Sequence, residues 1–225
     1  MSEINATVGA STYQQIKRDI IFGALQPGAK LKLDTLKQRY PASPSTLREA
    51  LSRLASDGFV DAPQQRGFFV TPVSHDDLIE IANLRTLLEC HALRVSIERG
   101  DTEWEGNLVA ARHKLARLER QMLSGDLSEE ETWKRYDGEF HLAMIQACNS
   151  RNLLSLHEKI YDKYLRYQML VLTHRGSVAA DEHDKMLEAA LARDADLAAT
   201  LLEQHIQNGL RHAASALQAA ATPKA

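Results

Sequence analysis

The first 74 residues contain no histidine, although the 225-residue chain holds nine, all at or beyond His75. Any chemistry that needs imidazole therefore belongs to the later part of the chain. Cysteine is nearly absent. Cys90 and Cys148 are the two present, both fall inside helical patterns, and neither has the paired spacing of a metal knuckle or redox motif, so buried thiols are expected. No apolar run approaches membrane-spanning length, and the polar N-terminus lacks a signal-peptide core, so the expected location is the cytoplasm. Beyond residue 72 the sequence shows no strand pattern, no low complexity and no internal repeat. What remains is an ordinary globular composition, 44% hydrophobic and 25% charged. The length allows one large domain or two small ones, each with its own core.

The net charge of −3 hides a division. Residues 1–74 carry nine Lys/Arg against six Asp/Glu, net +3, and the remainder carries 18 against 24, net −6. A basic front on an acidic body suits a polyanion-binding head. The most informative stretch lies in that front, from Ser43 to Val70. Leu47, Ala50, Leu51 and Leu54 recur at helical spacing and form one apolar stripe, with Ser45, Thr46, Arg48, Glu49, Ser52 and Arg53 opposite. Ser43 is a natural N-cap, and Pro44 fits the first helical position, where its missing N–H leaves no bond unmade. Gly58 can take the left-handed conformation that ends a helix. Val60 to Ala62 then returns through Gln64-Gln65-Arg66-Gly67 to Phe68-Phe69-Val70 as a hairpin.

Upstream, Tyr13 to Phe22 reads as a helix with Ile16, Ile20 and Ile21 inward, and about Asp34 to Tyr40 as a second. Helix, helix, turn, helix, hairpin is the order of a winged helix-turn-helix, whose third helix suits the major groove of DNA. An ordinary amphipathic helix before a hairpin is the plainer account of the same residues. The DNA contacts expected are Lys37, Ser45, Thr46, Arg48, Arg53, Gln65 and Arg66. The boundaries read as a disordered 1–10, this domain over 11–72, a linker at 73–76, an all-helical domain over 77–218 and a tail at 219–225. Six helices are expected in the second domain, packed as an antiparallel bundle. The first has Leu78, Ile81, Leu84, Leu88 and Ala92 on its inner face. The overall class is mainly α.

Asp137 and His141 are four residues apart and share a helix face. His183 and His205 lie on two later helices, each near an apolar stripe. Four such side chains from three helices can converge inside a bundle, and three imidazoles with a carboxylate suit zinc, with nickel or manganese as alternatives. A surface Asp–His pair is the plainer reading, His212 is a rival fourth ligand, and solvent or helix-end contacts would account for His157 and His174. Arg85 and Glu89 form another i, i+4 pair. An inward Arg85 could clamp an anion, with Arg166 and Tyr164 as further candidates.

The segments TLREALSRLASDGFV, LRTLLE, DGEFH, DEHDKMLEAALARDADLA and EQH occur in the order seen in the GntR superfamily of bacterial transcription regulators. Over roughly residues 11–215 the chain resembles the FadR-type branch, whose C-terminal effector domain is called FCD. The resemblance implies a homodimer on a palindromic operator, with the helical domain holding the effector. It also implies a metal held by Asp137, His141, His183 and His205, the first two in the D-x-x-F-H pattern with Phe140 between them, and a small carboxylate bound at that metal. The six-helix form resembles the subgroup that does not bind acyl-CoA. Pro44 stands where many members have Arg, while Arg48 matches the Arg of their R-E-A-L element. KLKLDTLKQRY, SHDDLIEIANLRTLLE and RGDTEWE look most like a glutarate-responsive repressor of this branch, which implies glutarate or a similar dicarboxylate. Two other functions compete: a metal-dependent hydrolase with Glu139 or Glu182 as base, and a DNA-binding protein whose metal is purely structural.

Overall fold

Ser43 starts the recognition helix as the cap residue its position suggests: its Oγ accepts the Thr46 backbone N–H at 3.2 Å, and Pro44 follows at the first helical position. The computed structural model describes residues 8–170 and 175–221. These fall into two compact units, one of residues 8–74 with 165–170, the other of 75–164 with 175–221.

The first unit is a winged helix-turn-helix. Helix α1 (Val8–Ile21) buries Ile16, Ile20 and Ile21. It begins upstream of the Tyr13 start marked by apolar spacing, with Thr12 buried in the added turns. Of the 1–10 stretch expected to be disordered, residues 8–10 are thus helical and the rest lie outside the described residues. Strand β1 (Lys30–Leu31) leads into α2 (Leu33–Arg39) and then α3 (Pro44–Ser56), which buries Leu47, Ala50, Leu51 and Leu54. Gly58 takes φ 79°, as the helix stop requires. Strands β2 (Val60–Asp61) and β3 (Phe68–Val70) form the wing, and the antiparallel order is β1-β3-β2. Val60 faces Val70, and Lys30 faces Phe69. At the tip the Arg66 N–H bonds Pro63 O at 3.1 Å while Gln65 holds φ 59°, a value ordinarily left to glycine.

Six helices among the described residues build the second unit: α4 (His75–Arg99), α5 (Thr102–Leu123), α6 (Glu130–Ile145), α7 (Arg151–Leu170, its residues 165–170 counted with the first unit), α8 (Ser177–Leu191) and α9 (Ala195–Ala221). A short 3-10 turn, Gln146–Cys148, ends the α6 segment. Helix α4 packs on α9 and α6, α5 on α6 and α8, and α8 on α9. His75 and Asp76, assigned from sequence to the linker, already belong to α4, and residues 219–221 of the expected tail still belong to α9. Residues 222–225 and His174 lie outside the described residues.

The inner face of α4 needs correction. Leu84 is 44% exposed and Leu88 only half-buried, while the inward line runs Leu78, Ile81, Arg85, Glu89, Ala92, Ser96. Arg85 and Glu89 can occupy it because their charges meet each other inside. Cys90 and Cys148 are both buried and unpaired by disulfide, and burial pushes the Cys90 thiol up to about 12. None of the described helices is long and apolar enough to cross a membrane.

Candidate functional site

Three helices deliver the histidines. His141 on α6, His183 on α8 and His205 on α9 are buried, and a ring nitrogen of each lies within 4.8 Å of the others. Asp137, one turn before His141, brings Oδ1 to 3.5 Å from His183 Nε2. Phe140, fully buried between them in sequence, lies edge-on to the His183 ring with centroids 5.4 Å apart.

Each imidazole is fixed by a carboxylate from a different helix. Nδ1 of His141 lies 2.9 Å from Glu89 on α4, that of His183 lies 2.6 Å from Glu119 on α5, and that of His205 lies 2.8 Å from Glu182 on α8. Guanidinium nitrogens also approach two of these atoms, Arg85 at 3.3 Å from His141 and Arg175 at 3.1 Å from His205. The carboxylates are nearer in both cases, so the tautomer that fits donates Nδ1–H to the carboxylate and leaves Nε2 with its lone pair. His183 Nε2 is buried and has no hydrogen-bond partner. An orphaned buried acceptor facing two other imidazoles and a carboxylate is what a metal ion would satisfy, and the donor set fits a borderline divalent ion.

Electrostatics favour the ligand forms. Burial pushes His141 and His205 toward the neutral imidazole, against the pull of Glu89 and Glu182. Burial would raise Glu89, but Arg85, His141 and His157 outweigh it and hold the carboxyl well below the usual range. Glu182, likewise opposed by burial, is brought down to about 2 by His205, Arg175 and Asn208. Asp137 is buried too, and Lys134 with the histidines keeps it ionised.

The candidate anion clamps separate. Arg85 reaches the site, bonded to Glu89 at 2.6 Å, with its guanidinium 4.5 Å from the Tyr164 ring centroid. Tyr164 is buried, and its hydroxyl has no hydrogen-bond partner. Arg166 belongs to the first unit, where its Nη2 donates to the Thr71 carbonyl. Two residues past Tyr164 means a rotation of roughly 200° about the helix, so the two cannot share a face. His157 is buried rather than solvated, with Nε2 3.0 Å from Glu89 Oε1, which corrects the expectation of solvent or helix-end contacts. His212 is exposed and outside the cluster. Glu139 is partly exposed and paired with Lys114 at 3.1 Å.

Glu119, Lys134 and the positioning roles of Tyr161 and Glu182 escaped the sequence reading. A signal existed for Glu119: with Arg112 it interrupts the buried stripe Leu108, Leu115, Met122 of α5 at the stripe's own 4-3-4-3 spacing. The two meet at 2.7 Å.

In the first unit Lys37, Ser45, Arg48, Arg53, Gln65 and Arg66 are exposed and Thr46 is half-buried. Ser43 Oγ lies 2.8 Å from Ser45 Oγ and 2.9 Å from Thr46 Oγ1, so three hydroxyls cluster at the start of α3. Arg53 stacks over the Tyr13 ring at 4.5 Å, tethered toward α1, whereas Arg48 stands on the exposed face of α3.

A winged helix-turn-helix followed by a helical bundle with a buried polar centre is the architecture of a DNA-binding transcription regulator. Residues 9–70 match the bacterial regulatory proteins of the gntR family, and residues 80–208 match the FCD domain. The chain belongs to the GntR family, in the group that carries an FCD domain, and is a transcription regulator rather than an enzyme. It is 37% identical over 202 residues to the uncharacterized HTH-type transcriptional regulator BphR of Paraburkholderia xenovorans, covering 89% of this chain and 82% of that one. It is 34% identical over 202 residues to the HTH-type transcriptional repressor GlaR of Escherichia coli, covering 86% and 90%. Among solved structures, E. coli McbR/YncC has the same fold, with a TM-score of 0.77 at 22% identity over 95% of this chain and 99% of that one.

Proposed function

We propose that this regulator is a cytoplasmic, homodimeric repressor that binds a palindromic operator and is released by a small carboxylate bound at a divalent metal, with zinc first and nickel or manganese next. The observation that carries the reading is the buried trio of imidazoles, each with Nδ1 on a carboxylate, around the unsatisfied His183 Nε2. Asp137, His141, His183 and His205 would hold the ion, which supplies a Lewis-acidic centre for a carboxylate oxygen. Glu89, Glu119 and Glu182 orient the rings and raise their basicity. Arg85 and the Tyr164 hydroxyl offer donors to an acid beside it. Glutarate or a similar dicarboxylate is the leading effector. Leu84 and Leu87, 44% and 67% exposed on α4, offer apolar surface for pairing with a second copy.

At the operator, Ser45, Thr46 and Arg48 meet base edges or phosphates, while Lys37, Arg53, Gln65 and Arg66 contact flanking backbone, which makes binding steeply salt-dependent. Ligand and operator then alter each other's affinity reciprocally. The name of the repressor GlaR, 34% identical, supports the sign of regulation.

The test is thermal unfolding against a panel of mono- and dicarboxylates, with and without a chelator. A true effector at a hundredfold excess over Kd adds about 2.7 kcal/mol. A selective shift that disappears on chelation supports the reading. Unchanged melting with every acid, and with chelator alone, would overturn it and leave the histidines a structural role.

A further inference from the structure

We propose that Tyr161 is a positioning residue that decides which oxygen of Asp137 a metal ion can take, an inference that rests on the metal reading above. Its hydroxyl donates to Asp137 Oδ2 at 3.0 Å, and Lys134 Nζ stands 3.5 Å from the same oxygen. Oδ1 is the oxygen turned to the histidines, 3.5 Å from His183 Nε2. Tyr161 is itself buried and held on three sides. The Arg85 guanidinium lies 4.8 Å from its ring centroid, and the His141 and His157 rings lie at 5.9 and 5.7 Å.

Gly138 supplies the second observation. It lies inside α6, where glycine weakens a helix, and it is not among the residues with positive φ, so the backbone gives no reason for it. The reason is space. A Cβ at position 138 would stand 3.1 Å from Tyr161 Cε1, close enough that the ring would have to give by a few tenths of an ångström. The missing side chain lets the tyrosine lie against α6 and reach the carboxylate one residue earlier.

With Oδ2 occupied, Asp137 offers a metal one oxygen. Three ring nitrogens and one oxygen make four protein donors, so an ion that prefers six keeps two positions, enough for both oxygens of an effector carboxylate. A chelating Asp137 would leave only one. Tyr161 thus keeps the site open to a ligand, a task distinct from holding the metal.

Manganese(II) is the probe, loaded into the full-length protein in place of the native ion. Water-proton relaxation counts its inner-sphere waters, and titration gives its Kd. Tyr161→Phe keeps the ring and removes the hydroxyl. It should lose one inner-sphere water relative to the parent, with a Kd unchanged or tighter, because Oδ2, left with only the longer 3.5 Å contact to Lys134, takes that position. Gly138→Ala should shift the count in the same direction by displacing the ring. An identical water count in the parent and both variants would overturn the proposal. So would loss of manganese binding by a Tyr161→Phe protein that still melts cooperatively, since the hydroxyl would then be building the site instead of choosing an oxygen. A parent protein that binds neither manganese nor zinc would instead remove the metal reading, and this inference with it.

Discussion

On α3 the apolar stripe of Leu47, Leu51 and Leu54 is buried, and Arg48 and Arg53 stay outside. On α4 and α5 the corresponding inward positions alternate Leu78 with Arg85 and Glu89, and Leu108 with Arg112 and Glu119. The recognition helix keeps Arg48 and Arg53 where phosphates can reach them, so the stripe beneath them is free to be apolar. The helical unit needs charge inside, and every buried ion there has a partner of opposite sign. A core of the first kind loses stability in proportion to the carbon removed. One of the second kind fails when a single partner goes, because the others are left charged and dry.

The sharpest break of that contrast is Glu89→Ala. It strands Arg85, His141 and His157 together, and a loss of about 3–5 kcal/mol in denaturant unfolding is expected. A loss below that of an ordinary surface substitution would mean the pairs are not held as described. Next comes Arg48→Ala, which removes an exposed side chain from α3. Operator affinity should fall about tenfold or more while the melting temperature and any acid-induced shift stay put; unchanged affinity in a salt-controlled binding assay removes Arg48 from the interface. Ser43→Ala deletes the cap of α3 and should lower stability by about 1 kcal/mol, read from the denaturation midpoint at constant slope. The smallest effect goes the other way. Gln65→Gly relieves the φ of 59° at the wing tip and should stabilise by about 0.5–1 kcal/mol, provided the melting transition includes the first unit.

The same contrast explains what could be read in advance. The recognition helix was legible because its cap, its proline, its apolar period and its glycine stop all act locally. The three histidines and Asp137 were legible as candidates through their order and spacing, and the folded chain draws the imidazoles together. The inner face of α4 was misjudged, since Leu84 and Leu88 look more buriable than Arg85 and Glu89 until the partners of those charges on other helices are known. Glu119 and the role of Tyr161 are illegible for the same reason: their value lies in one atom of His183 and one of Asp137, contributed by segments 64 and 24 residues away. Gly138 carries no periodic signal at all, because what it provides is an absence.

All six helices of the second unit send a group to the polar centre: Glu89 from α4, Glu119 from α5, Asp137 and His141 from α6, Tyr161 from α7, His183 and Glu182 from α8, and His205 from α9. An ion seated among them would therefore act as a keystone. Backbone amides throughout the bundle would gain protection from deuterium exchange together as metal is added, instead of helix by helix, and the unit would open as one cooperative block.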